Sequence, residues 1–523
     1  MNDAINISSE YWQKLQIAPS DIEFLHTTLF EREAPLTIQE LVTDFIDYRI
    51  QQENKTADKK KKSENKTYLP KNRYSSGETL VFPALDWKTG TIQSVRAGVN
   101  PALGQFDVMS VLMEDGTERF LASNLAQHKL NEVPVSKPIN DNQKKEIILK
   151  THGEEIQDKL QSAVESDPSL VRIAGRWFPR SLLVDVNIGN LNLAEAALDM
   201  ASGEPQPTSN LIKDVSLPEG VNPKLAEFSL NLALQEDERF DEVGPAGEVL
   251  WCLRRLEPDS VRDVPVWLKY IPIDHERSSL KPEMLALEAQ LADELSPLQP
   301  EADDNQISRI TVSLIYPHLR AGTLPISAQA RKLFPTAYES PRVRFTMMDG
   351  RTKIKLPGWV VRKHGYVYGL REWYKAHQLM PGSLVEVRRS DKPGEVIIEA
   401  RTQRSAKDWV RTLIVGADGG MIFAMLKQPI TAEFNDRMAI YVPDFKTLDP
   451  LWERRHSFEE LVVSIMRDLT KMNPQGHVHT QELYAAVNLV RRVPPAPLLA
   501  LLEEKAAFNH VGDLHYKLVE EMA

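Results

Sequence analysis

Residues 239–253 read RFDEVGPAGEVLWCL, and this stretch decides how the middle of the chain folds. Two short apolar runs flank a segment with two glycines, which is the pattern of a strand, a turn and a second strand. Upstream, LNLAEAALDMAS begins at Leu191, Pro207-Thr208 follows, and apolar residues then recur at helical spacing through 223–236. The sequence therefore predicts the order helix, short strand, helix, helix and two-stranded hairpin.

The same order is predicted in two other segments. The first has helix patterns on either side of Pro35-Leu36-Thr37. The last begins at Phe458 and closes with FNHVGDLHYKL, a hairpin around Gly512-Asp513. The tripeptide Gln-Glu-Leu starts at Gln39 and again at Gln481, at the point where an internal repeat would place it. The first copy lacks an obvious third-helix pattern, so we predict that it is degenerate.

This order of elements is that of the winged helix, and the middle segment resembles the HARE-HTH winged-helix family. A polar turn, an Arg-Phe pair, a glycine turn and an aromatic on the last strand carry the resemblance: Asp237, Arg239-Phe240, Gly244 or Gly247, and Trp251-Cys252-Leu253. The C-terminal segment matches more loosely, through Phe508, Gly512, Tyr516 and Leu518. The family occurs in transcription, chromatin and DNA-modification contexts, and the resemblance implies a role of that kind.

Two further segments are predicted to be β-rich. Residues 74–124 have short alternating strands, with turns at Lys88-Thr89-Gly90 and at 114–117, and are similar to Tudor/KOW-type barrels. Residues 343–400 have strands around a helix at about 370–377 and a turn, in an order similar to AbrB-like barrels. The predicted fold class is a multi-domain α+β protein with tandem winged-helix modules and two small barrel-like domains.

Shifts in composition predict the boundaries between these parts. Residues 55–66, KTADKKKKSENK, hold almost no apolar side chain and predict a solvated loop. Residues 131–142 and 296–305 predict linkers, and 443–455 predict a third connection. The predicted parts are an N-terminal helical segment (1–67), a small barrel (68–130), a linker and helix (131–190), the HARE-HTH-like module (191–260), a helical linker (261–305), a basic β-rich domain (306–445) and a C-terminal winged helix (456–523).

Length and composition exclude several protein classes. The chain has 523 residues, enough for several domains, and its 42% hydrophobic and 26% charged residues are typical of globular proteins. No apolar stretch approaches the roughly 18 residues of a membrane helix, and residues 1–10 carry no signal-peptide core. The single cysteine, Cys252, cannot form an internal disulfide or a cysteine-rich zinc site. We therefore expect a cytoplasmic protein without a membrane partner.

The net charge of −11 hides an uneven distribution. Residues 191–310 hold 24 acidic and 10 basic residues, whereas 342–411 hold 16 basic and 7 acidic ones. Because lysine and arginine contact phosphates and aromatic rings stack on bases, the second stretch is a candidate nucleic-acid surface. The alternative interpretation is a solvated basic face with aromatic residues in the core. The predicted nucleic-acid-binding residues are Arg342, Arg344, Lys353, Lys355, Arg362, Lys363, Arg371, Lys375, Arg388, Arg389, Arg491, Arg492 and Lys517.

The third helices of the two clearer copies differ in charge. The helix at 223–236 carries Lys224 but also Glu227 and Glu236, which would repel a phosphate, so this copy is predicted to bind protein or to be structural. Arg491 and Arg492 precede the third helix of the C-terminal copy, so that copy is the better candidate for DNA. The lysine run 59–62 adds either a non-specific phosphate contact or only a solvated loop.

Sequence patterns for catalysis are missing. The chain has no phosphate-loop, nucleophile-elbow or His-Glu-x-x-His motif, and GADGG at 416–420 is predicted to be a tight turn. Cys252 alternates with Trp251 and Leu253 on a predicted strand, which favours a packed side chain over a nucleophile. Paired carboxylates such as 303–304 and 503–504 have no partner lysine at nuclease spacing. We therefore expect no enzyme and no cofactor.

Four histidines form a suggestive group in the C-terminal segment. His477 and His479 share a face if they lie on a strand, and His510 and His515 are predicted to be cross-strand partners in the hairpin. We predict no metal, because structural zinc sites usually include cysteine, and exposed polar residues on a small sheet explain the group. Whether the four imidazoles bind a metal is left open by the sequence.

These patterns predict a DNA-binding or transcription-associated protein without catalytic activity. DNA is the expected partner, and a protein partner could bind the acidic region 191–310. The alternative is a protein-interaction scaffold or an accessory subunit of a DNA-processing or defence complex. A sequence alone does not identify the DNA site, the partner, the pathway or the oligomeric state.

Overall fold

The structure is a computed structural model that describes residues 9–61, 66–85, 88–100, 104–131, 140–215, 217–218, 220–297, 307–416, 419–454 and 457–519. The chain divides into two compact units, Met1–Val171 with Trp177–Pro179 and Arg172–Arg176 with Arg180–Ala523. Helices and several separate sheets alternate along the described residues, which confirms the predicted multi-domain α+β class. Most of the two predicted linkers, 131–142 and 296–305, lies outside the described residues.

The first unit combines helices with two sheets. In chain order its elements are α1 (Ser9–Gln13), α2 (Pro19–Arg32), β1 (Leu36–Thr37), α3 (Ile38–Lys61), β2 (Lys66–Thr67), β3 (Thr79–Phe82), β4 (Lys88–Ala97), β5 (Asp107–Met113), β6 (Glu118–Ser123), α4 (Asp141–Glu165), β7 (Leu170–Ile173) and β8 (Arg176–Pro179). Strands β2 to β6 form one sheet in chain order, and β1, β8 and β7 form the other. Tyr68, Phe82 and Met109 are among the buried side chains that fill the core of the five-stranded sheet.

The structure differs from the sequence prediction for this unit in two places. Helix α3 continues through Lys61, so the first half of the predicted lysine-rich loop is helical. Lys88-Thr89-Gly90 lies within β4 and not in a turn, and a Cβ on Gly90 would clash with the Val111 side chain on β5. Helix α4, in the part predicted as linker and helix, packs on α3, and Lys145 Nζ donates to Asp47 Oδ2 at 2.6 Å. The five-stranded sheet lies between α3 and α4 in the sequence.

The second unit holds the remaining elements. They are α5 (Ile188–Met200), β9 (Gln206–Pro207), α6 (Thr208–Asp214), α7 (Pro223–Glu236), β10 (Phe240–Glu242), β11 (Leu250–Leu253), α8 (Asp259–Arg262), α9 (Pro282–Leu291), β12 (Arg309–Ser313), α10 (Tyr316–Ala321), β13 (Thr323–Pro325), β14 (Arg342–Asp349), β15 (Lys355–Val361), β16 (Tyr366–Tyr368), α11 (Arg371–Ala376), β17 (Leu384–Arg389), β18 (Glu395–Ala400), β19 (Thr402–Val415), β20 (Met421–Ala432), α12 (Asp449–Trp452), α13 (Phe458–Thr470), β21 (Val478–His479), α14 (Thr480–Val487), α15 (Pro495–Glu504), β22 (Phe508–Gly512) and β23 (His515–Leu518).

The predicted order of elements is present in both 188–253 and 458–518, as helix, strand, helix, helix and hairpin. Pro223 opens α7, and the Asn222 side chain accepts a hydrogen bond from the backbone N–H of Lys224, which caps its N-terminus. On the buried side of α7, Asn231 Oδ1 accepts from Trp251 Nε1 at 2.8 Å and from Thr208 Oγ1 at 2.6 Å. One buried amide therefore ties the third helix to the hairpin and to the helix before it.

Seven of the described strands form the largest sheet, in the order β12-β17-β18-β14-β15-β16-β13. Strand β14 alternates between buried and half-buried residues, and Val343, Phe345 and Met347 point into the core. Helix α11 closes this core with Trp373 and Tyr374. Strands β19 and β20 are a long antiparallel pair, and the Gly416 N–H donates to the Gly420 carbonyl between them; residues 417–418 of the predicted GADGG turn lie outside the described residues. Among the described helices, we find none with the length and apolar character needed to cross a bilayer.

Candidate functional site

Exposed cations in the basic domain are organised around Asp349, the last residue of β14. Its Oδ1 accepts from the backbone N–H groups of Arg351 at 2.7 Å and Thr352 at 3.0 Å. Its Oδ2 accepts from the indole N–H of Trp373 at 2.8 Å and lies 3.2 Å from His377 Nε2. One buried carboxylate therefore fixes both the turn after β14 and helix α11.

The protonation state of Asp349 follows from the same contacts. Burial raises the pKa of its carboxyl, but the N–H groups of Thr352, Trp373 and Arg351 and the nearby His377 ring outweigh burial. The pKa of Asp349 is therefore lower than its usual 3.8, and the group is ionised at neutral pH. An ionised carboxylate offers only acceptors, which suits the donors around it.

We call the exposed cations on these two elements the Asp349 surface. Its members are Arg351, Lys353 and Lys355 on or beside the turn, and Arg371 and Lys375 on α11. Lys355 Nζ lies 3.0 Å from Glu395, and Lys375 Nζ lies 2.7 Å from Glu372. The Lys375–Glu372 pair is exposed on both sides and contributes only about 0–1 kcal/mol, so a phosphate can replace Glu372 at small cost, whereas Glu395 is a buried carboxylate.

Asp349→Asn should loosen the turn and α11 together. The amide NH2 of asparagine would face the indole N–H of Trp373, so a buried donor loses its acceptor, at a cost of about 2 kcal/mol. Hydrogen exchange of the amides in 350–377 measures the local loss of stability. Asp391→Asn changes an exposed acid of the same domain and should leave these amides unaffected. Equal protection in both variants would show that Asp349 does not organise the surface.

The structure places Arg342 and Arg344, two predicted nucleic-acid contacts, inside the second unit. Arg342 binds Asp241 on β10, and its Nε donates to the Val261 carbonyl at 3.2 Å. Arg344 lies over the Trp359 ring, 5.7 Å from its centroid, and is largely buried. Both arginines hold the segment 188–253 against the large sheet, so the Asp349 surface does not include them.

The predicted contacts from the C-terminal copy are also mostly covered. Arg492 is 1% exposed and pairs with Asp293 and Glu294. Residues 495–500 of α15 are all buried, and α15 packs on α9. Arg491 is half-buried over the Phe458 ring, whereas Lys517 is exposed on β23. Within α15, Glu504 is exposed and Leu501 and Glu503 are half-buried, so the accessible part of this helix is its acidic C-terminal end.

The four remaining predicted residues divide into two pairs. On β17, Arg388 Nη2 lies 3.6 Å from Glu399, and Arg389 Nη2 donates to the Lys332 carbonyl at 2.9 Å. After β15, Arg362 Nη1 donates to the Ser340 carbonyl at 2.6 Å, and Lys363 is exposed. Neither pair shares the contacts that organise the Asp349 surface.

The aromatic side chains of the basic stretch lie mainly in the core. Trp359, Tyr366, Trp373 and Tyr374 are at most 5% exposed, and Tyr368 is half-buried. A ring that packs in the core cannot stack on an unpaired base. The core interpretation therefore applies to the aromatics, while the exposed cations keep the surface basic.

Three of the four C-terminal histidines do meet. The centroid of the His515 ring lies 4.7 Å from that of His477 and 4.9 Å from that of His479. His479 Nδ1 accepts from the backbone N–H of Gln481, and its Nε2 lies 2.7 Å from Arg437 Nη1. Burial, followed by Arg437 and His515, lowers the pKa of His479 to about 4, so the ring is neutral. Among the described residues, no group of three acids, histidines or cysteines could hold a metal ion.

The predicted pairing of His510 with His515 is wrong. The two strands shift register between His510 and Gly512, so His510 lies opposite Tyr516 and His515 lies opposite Gly512. The two-residue loop at Asp513 and Leu514 has positive φ at both positions, as its tight geometry requires. The tight loop places a one-residue bulge in β22, and this bulge shifts the register of the two strands. The spacing of the histidines in the sequence does not show such a bulge.

Cys252 is 2% exposed on β11, as a packed side chain is expected to be. Burial, reinforced by Glu257 and Asp241, raises the pKa of its thiol to about 12. The sulfur is therefore a thiol at neutral pH and not a nucleophilic thiolate. This agrees with the packed interpretation of Cys252.

No family model, curated protein or solved structure matches the chain. Two features of the chain bear on its function, namely the Asp349 surface and the order helix, strand, helix, helix and hairpin in 188–253 and 458–518.

Proposed function

We propose that this chain is a DNA-binding, transcription-associated protein without catalytic activity, and that it contacts the DNA backbone through the Asp349 surface. We further interpret three segments as winged helices, namely 19–61 continued by 141–179, 188–253 and 458–518. The five-stranded and seven-stranded sheets are interpreted as the two barrel-like domains. The observation that supports the proposal is the pair of basic elements held by one buried carboxylate.

Preorganisation is the physical reason for choosing this surface. Lysine and arginine neutralise phosphates and release counterions, which drives binding at low salt. Because Asp349 fixes the turn and α11, the cations on them lose less freedom on binding than cations on a loose loop. Glu372 and Glu395 lie beside the surface and weaken the local field. We therefore expect moderate, strongly salt-dependent affinity with little sequence preference.

A protein-interaction scaffold is the second candidate, because neither clear winged-helix copy presents a basic third helix. Helix α7 carries Glu227 and Glu236, and the Arg239 that follows it is already paired with Asp237 and Glu195. The charged side chains of this segment either pair with one another or would face a basic partner protein. This candidate would be preferred if the Asp349 surface does not bind DNA.

The test is charge reversal at three members of the Asp349 surface, Arg351→Glu, Lys353→Glu and Lys375→Glu together. Each phosphate contact contributes roughly 0.9 to the slope of log affinity against log salt, so the slope should fall by about 2.7. Fluorescence anisotropy of a short random-sequence duplex, titrated from about 50 mM salt upward, measures both the affinity and the slope. All three side chains are exposed, so the variant should fold normally.

Lys446→Glu is the matched control, because Lys446 is an exposed cation of the second unit that lies outside the predicted set. It should leave the slope unchanged. If the chain binds duplex equally well with and without the triple substitution, another surface binds DNA and the Asp349 proposal fails. If the native chain does not bind at low salt, the scaffold becomes the better interpretation.

A further inference from the structure

A cavity of about 760 Å³ opens in the second unit between the 264–271 segment and the edge of the large sheet. Pockets for small organic ligands commonly measure about 300–1,000 Å³. The walls come from the 264–271 segment, the 331–336 segment and the 360–366 segment. The cavity therefore has the size of a small-molecule site, and its chemistry decides which ligand it suits.

Four cations line this cavity, namely Lys269, Arg331, Arg362 and Lys363. The carboxylate that reaches it is Glu294, which already pairs with Arg492 at 2.8 Å and with His318 at 3.0 Å. The negative charge of Glu294 is therefore already balanced by Arg492 and His318, so it does not offset the four cations of the cavity. An anion with several negative charges fits this balance better than a monocarboxylate.

The rest of the lining is apolar or aromatic. Leu268, Ile326, Phe334, Val360 and the buried Tyr366 contribute apolar carbon. His364 adds an exposed ring, and burial of part of that ring, together with Lys363 and Arg342, lowers its pKa. It is therefore mainly neutral at pH 7 and acts as a flat surface and not as a fifth cation. A ring beside hydrocarbon suits a planar base more than a flexible chain.

A second, larger cavity of about 1510 Å³ makes a useful contrast. Its lining includes the acids Asp449, Glu453 and Glu460 beside the bases Lys269, Arg454, Arg491 and Arg492. Arg492 is already paired with Asp293 and Glu294, so the other three bases balance the three acids and no ligand charge is favoured. The smaller cavity is the one with a clear preference.

We propose that the 760 Å³ cavity binds a free mononucleotide, with the phosphates held by Lys269, Arg331 and Lys363 and the base placed against the apolar and aromatic wall. Arg362 and Lys363, which the sequence suggested as DNA contacts, then serve a small-molecule site. This inference is independent of the Asp349 surface, because the two sets of residues do not overlap.

The experiment is calorimetric titration of the full chain with ATP, with AMP and with inorganic phosphate. ATP should bind with one-to-one stoichiometry and more tightly than AMP, since it carries more charge, and phosphate alone should bind weakly. Lys363→Glu should weaken ATP binding by about tenfold or more, since charge-assisted bonds to phosphate are among the strongest in proteins. Lys363 is exposed, so the substitution should not disturb folding.

Two further variants make the result specific. Ile271 lines the cavity and is 72% exposed, so Ile271→Asp adds an acid at the mouth without opening the core, and it should weaken ATP binding as well. Lys446→Glu removes a cation elsewhere and should leave ATP binding unchanged. No binding of ATP or AMP at millimolar concentration, equal binding of inorganic phosphate, or binding unaffected by both cavity variants would each overturn the proposal.

Discussion

Arg492→Ala should lower the free energy of unfolding of the C-terminal part of the second unit by about 4 kcal/mol. The guanidinium is fully buried, with Nη2 2.6 Å from Asp293 Oδ1 and 2.8 Å from Glu294 Oε1. Removing it leaves two carboxylates in the interior without their cation. Loss of one partner from a buried ion pair typically costs about 3–5 kcal/mol, because the remaining charge is neither solvated nor paired.

The rest of the network contacts the same two carboxylates and keeps Glu294 ionised. Tyr484 donates its hydroxyl to Asp293 Oδ2 at 2.6 Å, and His318 Nε2 lies 3.0 Å from Glu294. Burial raises the pKa of Glu294, but Arg492 and His318 outweigh it, so the pKa lies well below 4.5. A carboxyl with a lowered pKa stabilises the fold above about pH 4.5, and this stability is lost as the pH falls through the folded pKa.

Denaturant unfolding of the full chain, followed by hydrogen exchange in 480–502, measures the effect on this region. Arg491→Ala is the matched control, because Arg491 is the neighbouring arginine and lies half-buried over the Phe458 ring. A triple variant, Arg492→Met with Asp293→Asn and Glu294→Gln, removes the charges together and should recover much of the lost stability. A loss below about 1 kcal/mol for Arg492→Ala would mean that the pair contributes little.

Sequence patterns predicted elements well where the signals are local. Helix α7 was expected at 223–236 and is found there, because a proline, a capping asparagine and apolar spacing all lie within a few residues of its start. The hairpin after it was expected from two apolar runs around glycines, and β10 and β11 occupy those runs. Short-range chemistry determines these elements, so one sequence is enough to place them.

The errors concern residues whose environment depends on distant parts of the chain. Arg492 looked like a surface cation, but its partner Asp293 is 199 residues away in the sequence. Arg342 was likewise predicted to contact DNA, but it binds Asp241, which is 101 residues away in the sequence. The charge and the hydrophobic periodicity of a sequence show neither burial nor long-range pairing. For this reason the structure was needed to separate the exposed arginines of the basic stretch from the buried ones.

Glu257→Gln should remove much of the pH dependence of stability around the β10–β11 hairpin. The Glu257 side chain is fully buried, and its Oε2 lies 3.2 Å from Arg342 Nη1, which Asp241 also binds. Burial, followed by repulsion from Asp241, raises the pKa of Glu257 above its usual 4.5. Burial also raises the pKa of neighbouring Glu242 to about 7. Both groups therefore hold a proton in the folded chain at a pH where the unfolded chain has lost it.

The sign of the effect follows from this difference in bound protons. Above about pH 4.5 the folded state binds more protons than the unfolded state, so stability falls as the pH rises toward the folded pKa. One such group contributes about 1.4 kcal/mol per pH unit, or about 3 kcal/mol between pH 5 and pH 7. Glutamine cannot lose a proton, so Glu257→Gln should flatten the curve by that amount, while the contribution of Glu242 remains.

Unfolding in denaturant at several pH values from 5 to 7, followed by hydrogen exchange in 239–257, measures the slope of stability against pH. Glu248→Gln changes an exposed acid between the same two strands and should keep the slope of the native chain. Because the glutamine amide can still donate to Asp241, the variant should fold and become relatively more stable toward pH 7. A slope equal to that of the native chain would mean that Glu257 is ionised in the folded state, and that Arg342 stabilises two carboxylates at once.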